Sequence, residues 1–418
     1  CFREGSDGAA TTMIYYRKGY GGLLILFRIV GTSWPFGVAP GLIALAISIV
    51  LSSWPALDDI ISNRDEFISH PYAFQLFAYL LGFLMVFRTN FAYQRYWEAI
   101  GAMQNMAAKW LDGALMGITF DAAGSNTRPL LHGAQDLASR QPHEKTAAKG
   151  GPSHSVYYGE IAHLCSLLHA VALQHLRSDS NLDNLEYAYP DAPRIQSVTS
   201  KMDALGIPSF SRAKVGDTLA RQKLPVLGGL RPEERAVLEA DGQGNLLSTD
   251  ARVAMVEGWF MRRLIARQKF EQGESSSTSP PILSRLYQVI SDGTLWFGAA
   301  SKVAITPFPF PYHNIIAVFL WMYTILCPIL INGIIMDTVL RGIFVFVSVF
   351  CYHALNHIGD NLEDPYLPYD PNELPLPDLQ HSVNMRLWAF GVVPKVDAPS
   401  PPDLLVKEVA FTQDALRS

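Results

Sequence analysis

Charge is scarce in this chain of 418 residues: only 17% are charged, against 49% hydrophobic, and the mean hydropathy is +0.13. An ordinary soluble domain is more polar. Basic residues do not cluster, and the net charge of -5 argues against nucleic acid as a partner, because a phosphate backbone demands a positive face. Cysteine is scarce too. Cys1, Cys165, Cys327 and Cys351 form no CxxC pair, and two of them sit in apolar runs, where a thiol behaves as a small hydrophobe. Neither a disulfide framework nor a zinc site is expected. The chain starts at Cys1 rather than Met, which leaves any targeting segment out of view.

What is abundant is apolar sequence in long runs near both ends. Crossing about 30 Å of hydrocarbon takes roughly 20 helical residues. "WPFGVAPGLIALAISIVLSSW", residues 34 to 54, meets that length and is bracketed by tryptophans, as interfacial anchors are. Tyr72 to Phe87, after Pro71, offers about 16 uncharged residues, or roughly 24 Å, and has to continue as helix past Arg88. "NIIAVFLWMYTILCPILI" (314–331) and "GIFVFVSVFCYHALNHI" (342–358) leave room only for a short turn and predict a helical hairpin.

Positive charge sorts these spans. Arg17, Lys18 and Arg28 precede the first, Arg88, Arg95 and Lys109 follow the second, and the loop between them holds Asp58, Asp59, Asp65 and Glu66 against Arg64. The N-terminus, the middle region and the C-terminus are therefore expected on one side, with the acidic loop facing away. The middle region carries helical spacing in "NMAAKWLDGALMGI", "GEIAHLCSLLHAVALQHL", "RPEERAVLEA", "ARVAMVEGWFMRRLIARQKF" and "PILSRLYQVISDGTLWFGAASKVAI". Ala-, Gly-, Ser- and Pro-rich residues 121–155 and "QGESSSTSPP" (272–281) read as linkers. The expected division is 1–118 with the first two spans and their extension, 119–155 an insertion, 156–302 a helical extramembrane domain, 303–360 the last two spans, and 361–418 a tail.

On a helix, Tyr79, Phe83 and Phe87 drift only about 40° per step and form one stripe. Such a stripe packs a core or, repeated around a symmetry axis, stacks aromatic rings that gate by dewetting and offer positive ring edges to an anion.

The residues around it resemble a known family. "FRTNFAYQRYWEAI" (87–100) looks like the bestrophin signature in its bacterial, fungal and plant form; "GTSWPFGVAPGLIAL" (31–45) resembles that family's first span, "TPFPFPYHNIIAVFLWMYTILCPIL" (306–330) the approach to its third, and "GDNLEDPYLPYDPNELPL" (359–376) its Glu-Asp-Pro element. The resemblance implies an all-α membrane protein with four membrane helices per subunit and a helical soluble domain, assembled as a homopentameric channel in the lipid bilayer. It implies passive flow of anions, chloride first and bicarbonate or nitrate next, although some bacterial members conduct cations; no enzyme activity and no cofactor are expected. Plasma membrane and plastid thylakoid both fit, the latter by analogy with plant members.

By the same resemblance Tyr79, Phe83 and Phe87 form the pore neck, and Arg88, Asn90, Arg95, Trp97 and Glu98 the pore exit and subunit packing. The alternative for Arg88 and Arg95 is snorkelling or pairing with Glu98. Animal members bind calcium with a run of carboxylates after the fourth span; here Glu363, Asp364 and Asp370 form a candidate regulatory segment, interrupted by Pro365 and Pro368. A different class is kept open by His353 and His357, one turn apart, with Asp360 beyond: that spacing suits a metal, as in membrane desaturases and hydroxylases with histidine boxes. No metal is expected, since the other histidines form no matching pair.

Overall fold

The computed structural model describes residues 31–54, 72–124, 154–188, 219, 222–240, 245–267, 279–335, 337–367 and 373–389. Its helices are α1 (Trp34–Ser53), α2 (Tyr72–Gly124), α3 (His154–Leu176), α4 (Pro232–Glu239), α5 (Thr249–Ala266), α6 (Pro280–Ile305), α7 (Phe310–Ile334), α8 (Thr338–Glu363) and α9 (Leu376–Ala389). Two three-residue strands, β1 (Leu185–Tyr187) and β2 (Leu224–Val226), pair in parallel, with Leu185 opposite Leu224. Periodicity does not reveal strands this short.

The helix ends follow local chemistry. Asp337 caps α8, its Oδ1 accepting from Leu340 N–H at 2.7 Å, and Ser248 caps α5 through Ala251 N–H at 3.2 Å. Proline opens α4 and α6, where a missing N–H costs nothing. Pro40 lies inside α1 and Pro328 inside α7, a placement that membrane helices tolerate because neighbouring groups satisfy the freed carbonyls.

Two separate cores organise these elements. The smaller is a membrane bundle in which Ala44 of α1, Leu81 and Met85 of α2, Ile316, Leu320, Tyr323 and Cys327 of α7, and Val345 and Val349 of α8 pack together. The buried residues of α1 are Gly37, Gly41, Ala44 and Ser48, small side chains at the spacing that lets membrane helices touch. A Cβ on Gly37 would stand 2.5 Å from the Phe350 carbonyl of α8. The outer faces of this bundle are apolar and exposed, as Val50, Phe344 and Val347 are, which is the pattern lipid requires.

The larger core lies beyond the membrane end of α2. It joins α2 from Ala99 to Ile118 with α3, β2, α5, α6 and α9. The expected stretch 105–118 is thus part of one helix of 53 residues, about 80 Å long, and the segment read as a tail carries α9, whose Val383 and Leu387 enter the core. α3 is apolar and long enough to cross a membrane, yet most of it is buried inside the protein. Its polar side chains explain the placement. His163 lies 2.6 Å from the Leu227 carbonyl and 2.9 Å from Glu234, His169 lies 2.6 Å from Gln380, and Ser166 donates to Asn384 at 2.7 Å. α3 is the axle of the extramembrane domain and leaves four membrane helices, α1, α2, α7 and α8.

Burial sets the chemistry of that domain. The His169 imidazole is pushed down to about 4 by desolvation, against the opposing Gln380 hydrogen bond, so it is neutral. Burial raises the Cys165 thiol to about 12, and Tyr158 is raised to about 12 by burial and then by Asp121. The thiols of Cys165, Cys327 and Cys351 are free.

Candidate functional site

The two faces of α2 differ between residues 76 and 99. Leu81, Met85, Arg88, Ala92 and Ala99 are buried, recurring every three to seven residues on the side toward α7 and α8. Tyr352 of α8 donates to the Ala78 carbonyl at 3.1 Å, and Tyr312 of α7 donates to that of Leu84 at 3.3 Å. The opposite face is exposed. There Tyr79 is 76% exposed, Phe83 60% and Phe87 39%; the Phe83 and Phe87 rings meet edge to face at 4.5 Å, and Phe87 and Phe91 lie 6.2 Å apart.

At about 100° per residue, Asn90, Gln94 and Trp97 continue this stripe, and all three are exposed. Running down α2, one line of side chains passes from aromatic rings to amides and ends at Trp97, whose indole lies 6.0 Å from Tyr93. The stripe therefore changes from a surface that repels water to one that binds it.

Arg88 turns the other way. It is 1% exposed and bonds to Asn356 and Asp360 of α8, with His313 Nδ1 of α7 at 2.9 Å and Glu363 Oε2 at 3.2 Å. Arg95 donates to the Glu363 carbonyl at 2.7 Å and to that of Val303, and lies 3.9 Å from Asp364. Neither pairs with Glu98, which holds Lys302 of α6, and neither snorkels to water. The sequence does not show these partners, because Arg88 and Asp360 lie on helices far apart in the chain. The short turn after α7, which makes α8 antiparallel to it, was the available signal.

Of the candidate regulatory carboxylates, Glu363 and Asp364 face Arg88 and Arg95, and Asp370 lies outside the described residues. His313, Asp360 and Glu363 also stand close enough to share a metal ion, but the Arg88 guanidinium fills that space with a cation already. The histidine pair does not converge: His353 Nε2 bonds Thr324 at 2.9 Å, whereas the His357 ring packs on Phe36 of α1. No second histidine pair faces them among the described residues, as a histidine-box metal would need.

Comparison with known proteins gives the family and the fold. The family model for the bacterial/fungal bestrophin protein matches residues 27–114 and 215–389. Among solved structures, a point mutant of a bacterial bestrophin homologue from Klebsiella pneumoniae superposes with TM-score 0.53 at 14% identity, covering 84% of this chain and 97% of that one. Another structure of a bacterial bestrophin homologue from Klebsiella pneumoniae, phased on zinc, gives TM-score 0.51 at 12% identity over 87% and 97%. No curated protein matches.

Proposed function

Because the chain belongs to the bacterial/fungal bestrophin family, a family of ion channels rather than enzymes, we propose that five copies surround a pore lined by α2 and pass chloride. The general activity, anion flow through a multi-pass membrane channel, comes with the family; the species, the stoichiometry and the residues are this reading's own.

One observation carries it. The stripe of Tyr79, Phe83 and Phe87 is exposed in the single subunit, although the helix bearing it is anchored on its other face by α7, α8 and a buried arginine. Large rings aligned and left uncovered among the described residues call for a partner. Around a fivefold axis they make three stacked constrictions, each presenting ring edges of positive potential to an anion. Below them Asn90 supplies amide donors to an ion regaining its hydration shell. Arg88 and Arg95 are engaged with carboxylates and carbonyls, so selectivity is assigned to ring edges and amides, and the two arginines to holding α2 against α7, α8 and the chain after it. Glu363 and Asp364 serve in the same lock.

The test has two parts. Native mass spectrometry of the purified protein in mild detergent should show five subunits. In planar bilayers with asymmetric chloride, the reversal potential should approach the chloride equilibrium potential; a monomer, or a reversal potential at the cation's value, contradicts the reading.

A further inference from the structure

At the opposite end of the membrane bundle lies a second buried arginine, in a different kind of setting. α1 and α7 end there and α8 begins. Arg341, in the first turns of α8, is 6% exposed. Its Nη2 donates to Ser52 Oγ at 2.6 Å and to Thr338 Oγ1 at 3.3 Å, its Nη1 reaches the Ile335 carbonyl at 3.5 Å, and its Nε has no partner. Ser52 in turn lies 3.4 Å from Asn332 Oδ1. All of these partners are neutral. Arg88, Arg177, Arg263 and Arg267 each face a carboxylate, but among the described residues no carboxylate forms an ion pair with Arg341. The nearby Asp337 spends its Oδ1 on the Leu340 N–H as the cap of α8.

A guanidinium keeps its charge at any accessible pH, and burying it without a counter-charge is costly. Placed at a helix end, this side chain has an obvious escape to water by snorkelling; it points into the bundle instead. The carbonyl ends of α1 and α7 offer partial negative charge, which among the described residues leaves the Nε donor and part of the charge unanswered.

We propose that Arg341, with Ser52 and Thr338, binds the phosphate of a membrane phospholipid. The guanidinium fork matches two phosphate oxygens where it matches no single-point ligand as well; the Thr338 hydroxyl adds a neutral donor, and Ser52, whose own hydrogen goes to the Ser48 carbonyl at 2.7 Å, holds the guanidinium in place. The surroundings select lipid over a free ion. Ile49 and Val50 of α1, Ile334 of α7, and Leu340, Ile343 and Phe344 of α8 are exposed around this end of the bundle and give acyl chains a surface to lie on while the headgroup sits over Arg341. The site is independent of the pore and does not rest on the proposed stoichiometry.

The experiment uses the full chain, purified in detergent and stripped of lipid, with dihexanoyl phosphatidylglycerol, dihexanoyl phosphatidylcholine and inorganic phosphate as separate probes. Native mass spectrometry reads lipid retained, and thermal melts read stabilisation. Both phospholipids should bind and raise the melting temperature. Arg341→Met should weaken them about tenfold, the scale of one lost charge-assisted contact, and Arg341→Lys, which keeps the charge and loses the fork, should fall between. Equal phospholipid binding by the parent and Arg341→Met overturns the proposal; if that variant does not fold, parent-like binding by Arg341→Lys overturns it. Inorganic phosphate matching the phospholipids, and losing its effect in the same variants, also overturns it and reassigns the site to a soluble oxyanion.

Discussion

Arg88 of α2 and Glu363 of α8, 275 residues apart in sequence, meet at 3.2 Å, on a face of α2 turned away from the exposed ring of Phe87. The residue after Phe87 therefore ties this stretch of α2 to α8, beside the bonds from Tyr312 and Tyr352.

Removing the arginine leaves Glu363 half-buried without its counter-charge. Arg88→Met should destabilise the protein by about 3 kcal/mol, the low end for a broken buried pair, because Asp360 is partly hydrated. Asp360→Asn should cost less, since Arg88 keeps Glu363 and His313. Thermal melts in detergent measure both, and equal costs would contradict the ranking.

His169 gives the extramembrane domain a pH dependence. Its folded value of about 4 lies below the unfolded value near 6.5, so between those pH values the unfolded chain holds more protons. Stability from this group is complete above about 6.5 and falls as pH drops through that window, by about 1.4 kcal/mol per unit. Melts at pH 7 and pH 5 should show a smaller difference for His169→Gln than for the parent. An unchanged difference rules out His169 as the source.

Close helix contact makes two glycines unequal. A Cβ on Gly37 meets the Phe350 carbonyl at 2.5 Å, whereas one on Gly101 meets nothing within 4 Å. Gly37→Ala forces α1 from α8 and should cost about 1 to 3 kcal/mol; Gly101→Ala should gain about 0.5 to 1 kcal/mol from helix propensity. Differential scanning calorimetry of the two variants should show melting temperatures on opposite sides of the parent's.

Long periodic features are legible in the sequence. The Trp34–Trp54 run and the 314–358 hairpin carry enough apolar residues to dictate membrane helices, and the three aromatics share a face by arithmetic alone. What stayed hidden depends on tertiary neighbours. α9 is short and mixed in composition, so only its docking into the core defines it. The β1–β2 ladder has three residues per strand. Glu98 is the local alternative partner for Arg88, ten residues along the same helix, but ten residues turn through about 1,000° and put the two side chains on different faces. The buried face of α2 found its carboxylates on α8 instead.

The most direct test of the pore reading is single-channel recording of Phe83→Ala beside the parent in planar bilayers. Phe83 is the middle ring and already 60% exposed in the subunit, so its truncation opens little cavity there, well short of the roughly 3 to 5 kcal/mol of a core Phe→Ala change. The oligomer should stay intact while the constriction widens, giving larger or less tightly gated chloride currents. A variant that assembles normally yet carries currents identical to the parent's in size and gating would place the stripe away from the ion path and contradict the account.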